Sequence, residues 1–266
     1  MPRFRELLVV LAWAAAPSGA VGLPDTGVDT CYNATAADTL PAAHVESVAA
    51  DNGTHPRQDC RYGRDAAAYM GLLAKTGAGP KGLDYTKITN AGAATDPAAA
   101  LGTGASDWAC TRDNTTGLTW EVKSPTAGNL RHAGSTFTWF SSDAGSNGGN
   151  AGVVGTSTCG GSLPSCNTQD FIAAVNAAAL CSYTDWRLPT PRELITLHYE
   201  GFQANVAATL EATYFPSSPS VMWTATTYAF DAASAWVGSP VVGLSVLDVR
   251  AKTTAVGVRL VRGTVF

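Results

Sequence analysis

The stretch Thr184-Asp185-Trp186-Arg187-Leu188-Pro189-Thr190-Pro191-Arg192-Glu193-Leu194 carries the clearest local signal in the chain. Thr190 is placed as a helix N-cap. Pro191 follows at the first helical position, where its missing N–H costs nothing, and Glu193 stands where a capping box returns a carboxylate to the N-cap backbone. Leu194, Ile195 and Leu197 are expected to supply the apolar contacts of this helix, and Gly201 its stop. Trp186 and Arg187 read as scaffold: an indole fills core volume, and a guanidinium pairs with a carboxylate or with carbonyls. Upstream, Thr168 reads as the N-cap of a second helix. Its Phe171, Val175, Ala178 and Ala179 fall on one face of a 3.6-residue period. A further short helix is expected over Asp65 to Lys75, with Tyr69, Leu72 and Leu73 on one side. Residues 119–122 and 136–140 have strand composition, and after Pro219 short strands are expected at 221–227, 235–237, 241–249 and 256–261. One twisted antiparallel sheet with two packed helices and long loops is an α+β arrangement.

The chain has 266 residues, with 17 Lys plus Arg against 21 Asp plus Glu, for a formal net charge of −4. Only 14% of residues are charged and 45% are hydrophobic, which excludes disorder driven by charge. The acidic balance argues against a nucleic-acid partner, which needs a basic stripe to displace counterions. Residues 1–20 read as a signal peptide. Arg3 and Arg5 precede an apolar run from Leu7 to Ala16, and Ser18 and Ala20 stand where a signal peptidase reads small residues. That run is shorter than the roughly 20 residues a bilayer span needs. Cleavage near Val21 is therefore expected to leave an exported chain with no membrane insertion. The six cysteines, Cys31, Cys60, Cys110, Cys159, Cys166 and Cys181, all follow the signal. An even count in an oxidising compartment reads as three disulfides with about 15 possible connectivities. Cys159 and Cys166 lie close enough to close a small loop, and no pair has zinc-knuckle spacing.

Several phrases occur in a characteristic order: LPDTGVDTCY at 23–32, RDNTTGLTWEVK at 112–123, LCSYTDWRLPTPREL at 180–194, YFP at 214–216, MWTATTYAFDAASAWV at 222–237 and GVRLVRG at 257–263. Together they resemble the bacterial family named for the C-terminal domain of the Lcl collagen-like adhesin. Residues 21–107, read from composition as strands and loops, are expected to form an N-terminal extension or subdomain, and the resemblance is strongest over a domain at 108–266. It implies a disulfide-stabilised, C-type-lectin-like fold related to the formylglycine-generating enzyme. It also implies surface adhesion and, in the namesake, binding of sulfated polysaccharides. Many members carry a cysteine in the last motif where this chain has Leu260, which points Cys181 to Cys110; the full set expected is Cys31–Cys60, Cys110–Cys181 and Cys159–Cys166. The enzymatic relative uses a late cysteine pair, and no Cys follows Cys181 here.

No nucleophile elbow, metalloprotease helix or Ser-x-x-Lys is present, and His44, His55, His132 and His198 are scattered, so no enzyme is expected. The expected ligand-binding residues are Tyr228, Phe230, Asp231, Trp236 and Arg250, because aromatic faces stack on sugar rings and a carboxylate accepts from hydroxyls. Trp223 and Trp236 read first as sheet core. Arg250 and Lys252 alternate on one strand face, a plain solvated face or a partner for sulfate. The Asp143–Gly148 loop fails as an EF-hand, yet calcium held by separated loop oxygens stays an open candidate cofactor. The expected function is a secreted or cell-surface binding and adhesion domain whose partner is a glycan or surface polymer. The alternative is a protein-contact component of a bacterial surface assembly such as a pilus or fibre.

Overall fold

The computed structural model describes residues 62–155, 159–161, 163–198, 212–239 and 247–264, with the backbone of 31–32 and 37–38. Its helices are α1 (Arg64–Tyr69), α2 (Thr168–Ala177) and α3 (Pro191–Ile195), with a 3-10 turn at Leu180–Ser182. Its strands are β1 (Cys31–Tyr32), β2 (Ala37–Asp38), β3 (Tyr85–Thr89), β4 (Trp108–Asp113), β5 (Thr119–Glu121), β6 (Met222–Thr227), β7 (Ser234–Gly238), β8 (Leu247–Ala251) and β9 (Val261–Arg262).

The capping box of α3 forms. Thr190 Oγ1 accepts from the Glu193 N–H at 3.2 Å, and the Glu193 carboxylate accepts from the Thr190 N–H at 2.8 Å. The same carboxylate takes a two-pronged contact from Arg187, at 2.8 and 2.6 Å. Leu194 and Leu197 are buried as expected, but Ile195 is 41% exposed, because α3 is only five residues long and presents a narrow face. Gly201, the expected stop, lies outside the described residues. The N-cap of α2 is Asn167, whose side chain accepts from the Asp170 N–H. Thr168, one residue later, instead donates its hydroxyl to the Phe140 carbonyl at 2.9 Å. α1 ends at Tyr69, before a left-handed Gly71 at φ +68°. Tyr69 and Leu72 are therefore exposed and do not form the expected apolar side.

The expected single sheet is two antiparallel sheets, ordered β3-β4-β5-β9 and β6-β7-β8, besides the two-residue β1-β2 pair. The segment 256–261 pairs along a strand only from Val261. Before that it makes single bridges, Val256 to Phe137 and Gly257 to Met222, as it crosses from one sheet to the other. Residues 136–140 likewise make isolated bridges and no strand. An apolar run has the same appearance whether it pairs along its length or threads between sheets. The core has two parts. Phe137, Trp139, Phe171, Trp186, Trp223 and Val258 build one, and Tyr85, Leu118, Trp120, Leu194, Phe215 and Met222 the other.

Two disulfides appear as paired in the sequence reading. Cys110–Cys181 ties β4 to the turn after α2 across 71 residues, and Cys159–Cys166 closes a seven-residue step. The Cys31–Cys60 pairing falls outside the described residues, since Cys60 is not among them. Beneath the four-stranded sheet, Lys123 and Glu121 form an ion pair at 2.7 Å with both side chains almost fully buried. Arg259 donates to the Glu121 carbonyl at 2.6 Å and to Ser218 Oγ at 2.7 Å, while Leu260 N–H donates to the Glu121 carboxylate. Arg262 meets Asp185 at 2.8 Å. Desolvation draws the Lys123 ammonium down to about 8 and Arg259 down to about 10, each opposed by Glu121.

Two predictions follow from these buried charges. Glu193→Ala removes the cap and leaves Arg187 without its carboxylate, so urea unfolding is expected to show a loss of roughly 3 kcal/mol. For Lys123, the folded value of about 8 lies below the unfolded value near 10.4. The unfolded chain therefore binds more protons at this group between those values, and stability rises with pH across that window. The difference in unfolding free energy between the wild type and Lys123→Met is expected to move by about 3 kcal/mol in favour of the wild type from pH 8 to 10.5. A flat difference would show that burial does not penalise this ammonium.

Candidate functional site

The turn joining β6 to β7 is fastened by Asp231. Its carboxylate accepts from the Ala233 N–H at 3.0 Å and from Ser234 Oγ at 2.7 Å, and its carbonyl accepts from the Ser234 N–H at 3.0 Å. Hydrogen bonds from Ser234, then Ala233, hold this carboxyl below the usual carboxylate range. Across the turn the Tyr228 N–H donates to the Ser234 carbonyl at 2.9 Å. With its backbone fixed in this way, Phe230 stands 89% exposed. The Tyr228 ring lies 5.5 Å from the Phe230 ring and 5.5 Å from Trp236, edge-on to the latter at 84°. Trp236 is half-buried and faces away from the core. Its neighbours Ala235 and Val237 point inward, and side chains along a strand alternate between faces. Trp223 is fully buried, with its indole N–H donating to the Phe137 carbonyl at 2.7 Å.

Three of the expected site residues, Tyr228, Phe230 and Trp236, thus form one aromatic ladder, and Asp231 braces the turn that carries it. Arg250 is not brought to them. Trp236 pairs with Val249 and Ala235 with Arg250 across β7 and β8, and paired residues share a face. Arg250 therefore points to the face opposite Trp236. There it forms an ion pair with Asp248 and borders a cavity of about 390 Å³ with Pro219, Val221 and Val256.

Lys252 departs furthest from the sequence reading. It is 1% exposed, with Nζ 4.0 Å from the Trp139 ring centroid. That ammonium donates to the Asn147 carbonyl at 2.9 Å and to the Asn150 carbonyl at 2.7 Å. Desolvation lowers its pKa, and Asp231 opposes the shift. The loop it pins is otherwise built from Asx turns, with Gly145, Gly149 and Gly152 N–H groups donating to Asp143, Asn147 and Asn150 side chains. Gly148, at φ +64°, packs against Thr227, where a Cβ would lie 2.6 Å from the threonine methyl. The loop therefore backs the base of the aromatic turn. The Asn147 and Asn150 carbonyl oxygens thus accept from the Lys252 ammonium. Among the described residues no group of three or more His, Cys, Asp or Glu is placed to hold a metal.

Composition and spacing did not reveal a second concavity, of about 350 Å³, beside this loop. Trp139, Phe140, Ile172, Leu188 and Ala225 give it apolar walls, and Gln169 and Arg187 give it polar ones. The adjacent aromatics at 139 and 140 were its only trace in the sequence.

Replacing the Lys252 ammonium tests the loop. In Lys252→Met the amides of 145–152 are expected to exchange at least about tenfold faster, while those of β4 and β5 stay unchanged. Added calcium is expected to leave the wild-type loop amides as they are.

Among known proteins, no curated protein and no solved structure matches the chain. Residues 109–262 match the family model described as the Lcl C-terminal domain. That span runs from the second residue of β4 to the end of β9 and includes both described disulfides, the capping box and the aromatic ladder. Covering more than half of the 266 residues, it shows that the chain belongs to the Lcl C-terminal domain family.

Proposed function

We propose that the chain is an exported, surface-associated binding module and not an enzyme, and that it takes a glycan on the ladder of Phe230, Tyr228 and Trp236. The observation that carries this reading is Phe230 itself, a large aromatic 89% exposed on a turn braced by Asp231. Such a ring contributes nothing to the core, yet it offers a flat apolar face of the kind that stacks on the C–H face of a pyranose. Family membership and the two disulfides support a place outside the cytoplasm. Among the described residues no helix is long and apolar enough to cross a membrane. A C-type-lectin-like class belongs to the same proposal, supported by antiparallel sheets, few helices and an aromatic site on the loops between late strands.

The full chain, presented to an array of neutral and sulfated polysaccharides, is expected to bind at least one polymer class. Phe230→Ala is expected to weaken that binding about tenfold. Its melting temperature should stay within about 2 °C of the wild type, since an exposed side chain adds little to folding. Protein that is folded by circular dichroism and binds no polymer would favour the alternative, in which Phe230 contacts a protein neighbour in a surface fibre.

A further inference from the structure

Resting on the glycan reading above, we infer that the Phe230–Tyr228–Trp236 ladder selects uncharged saccharides and discriminates against sulfated or otherwise anionic polymers. Sulfate recognition depends on cationic donors that face the ligand, because charge-assisted hydrogen bonds are the strong ones. From Thr224 to Val249 the chain contains no Lys or Arg, and its only charged residues are Asp231 and Asp248. Arg250, expected beside the aromatics, and Lys252, expected on the same strand face as Arg250, are both elsewhere. Lys252 is buried behind the turn, with its ammonium on the Asn147 and Asn150 carbonyls and against Trp139. Arg250 is on the opposite face of the sheet, paired with Asp248.

The charges that remain face outward with the wrong sign for an anion. Asp231 is exposed next to Phe230, while Lys252, which interacts with it electrostatically, is covered. Their charges cancel in sum, but the end presented to solvent is the carboxylate. What the ladder offers besides its rings is neutral: the exposed Thr226 side chain, and a Tyr228 hydroxyl with no partner among the described residues. Rings with neutral hydroxyls match the alternating C–H and O–H surface of an unsubstituted sugar. A sulfated polymer would bring its charges to a carboxylate on a turn whose strands β6 and β7 carry no Lys or Arg.

Matched polymer pairs, such as dextran with dextran sulfate and agarose-type galactan with carrageenan, test this on the full chain at low ionic strength, where charge effects are largest. The readout is the part of binding lost in Phe230→Ala. The ladder is expected to hold neutral members at least about tenfold more tightly than their sulfated partners. Ala229→Lys, at an exposed position beside Phe230, is expected to raise binding of the sulfated members by about tenfold. Sulfated members held as tightly as neutral ones through Phe230 would overturn the selectivity and leave the glycan reading standing. Folded protein that binds no member of any pair would overturn both.

Discussion

The Glu193 carboxylate, buried at the start of α3, accepts from the Thr190 N–H and from both terminal nitrogens of Arg187. The short segment it holds is bonded to both sheets. Arg187 exchanges backbone hydrogen bonds with Val261 of β9 at 3.0 and 2.9 Å, and the Pro189 carbonyl accepts from the Ala225 N–H of β6 at 2.8 Å. One residue earlier, Trp186 is bound to α2 through both backbone groups, by the Asn176 side chain at 2.8 and 3.0 Å. Five residues of irregular chain, Trp186 to Thr190, therefore connect a four-stranded sheet, a three-stranded sheet and a helix. Irregular backbone at such a junction survives only if every polar group finds a partner. The Glu193–Arg187 pair and the capping box supply partners for those the sheets leave over.

The same economy governs the other buried charges. Lys123, Arg131 and Arg259 all interact with a single carboxylate, Glu121, while Arg131 also donates to the Ala109 and Val122 carbonyls and Arg259 to the Glu121 carbonyl. Beneath the loop at 143–152 the Lys252 ammonium does this again for Asn147 and Asn150. Long loops with little regular pairing of their own are held by buried cations on carbonyl oxygens. For Lys252 this leaves its ammonium beneath the loop and not on the aromatic turn.

Function, on the reading proposed here, follows from where strand alternation sends each side chain. β7 buries Ala235 and Val237 and turns Trp236 outward to join Tyr228 and Phe230, and the same two-residue period sends Arg250 to the other face. Asp231 contributes rigidity, since its oxygens bind the turn that displays the rings.

The sequence alone was enough to read the features whose partners lie within a few residues. The Thr190-Pro191-Glu193 box and the Cys159–Cys166 loop are of this kind, because local geometry decides them. The α+β class and the aromatic content of the 223–236 segment were readable too, and Cys110–Cys181 followed from the family resemblance. Tertiary structure decided what spacing leaves open. Val256 to Leu260 could be a strand or a crossing thread, and only its neighbours in space make it a thread. Arg250 and Lys252 looked like one charged face. Yet β8 ends at Ala251, and Lys252 then turns under a loop more than 100 residues away in sequence, where carbonyls and an indole face compensate its desolvation. A side chain's periodicity is set by its own backbone, whereas its burial and its partner are set by whatever the rest of the chain packs against it.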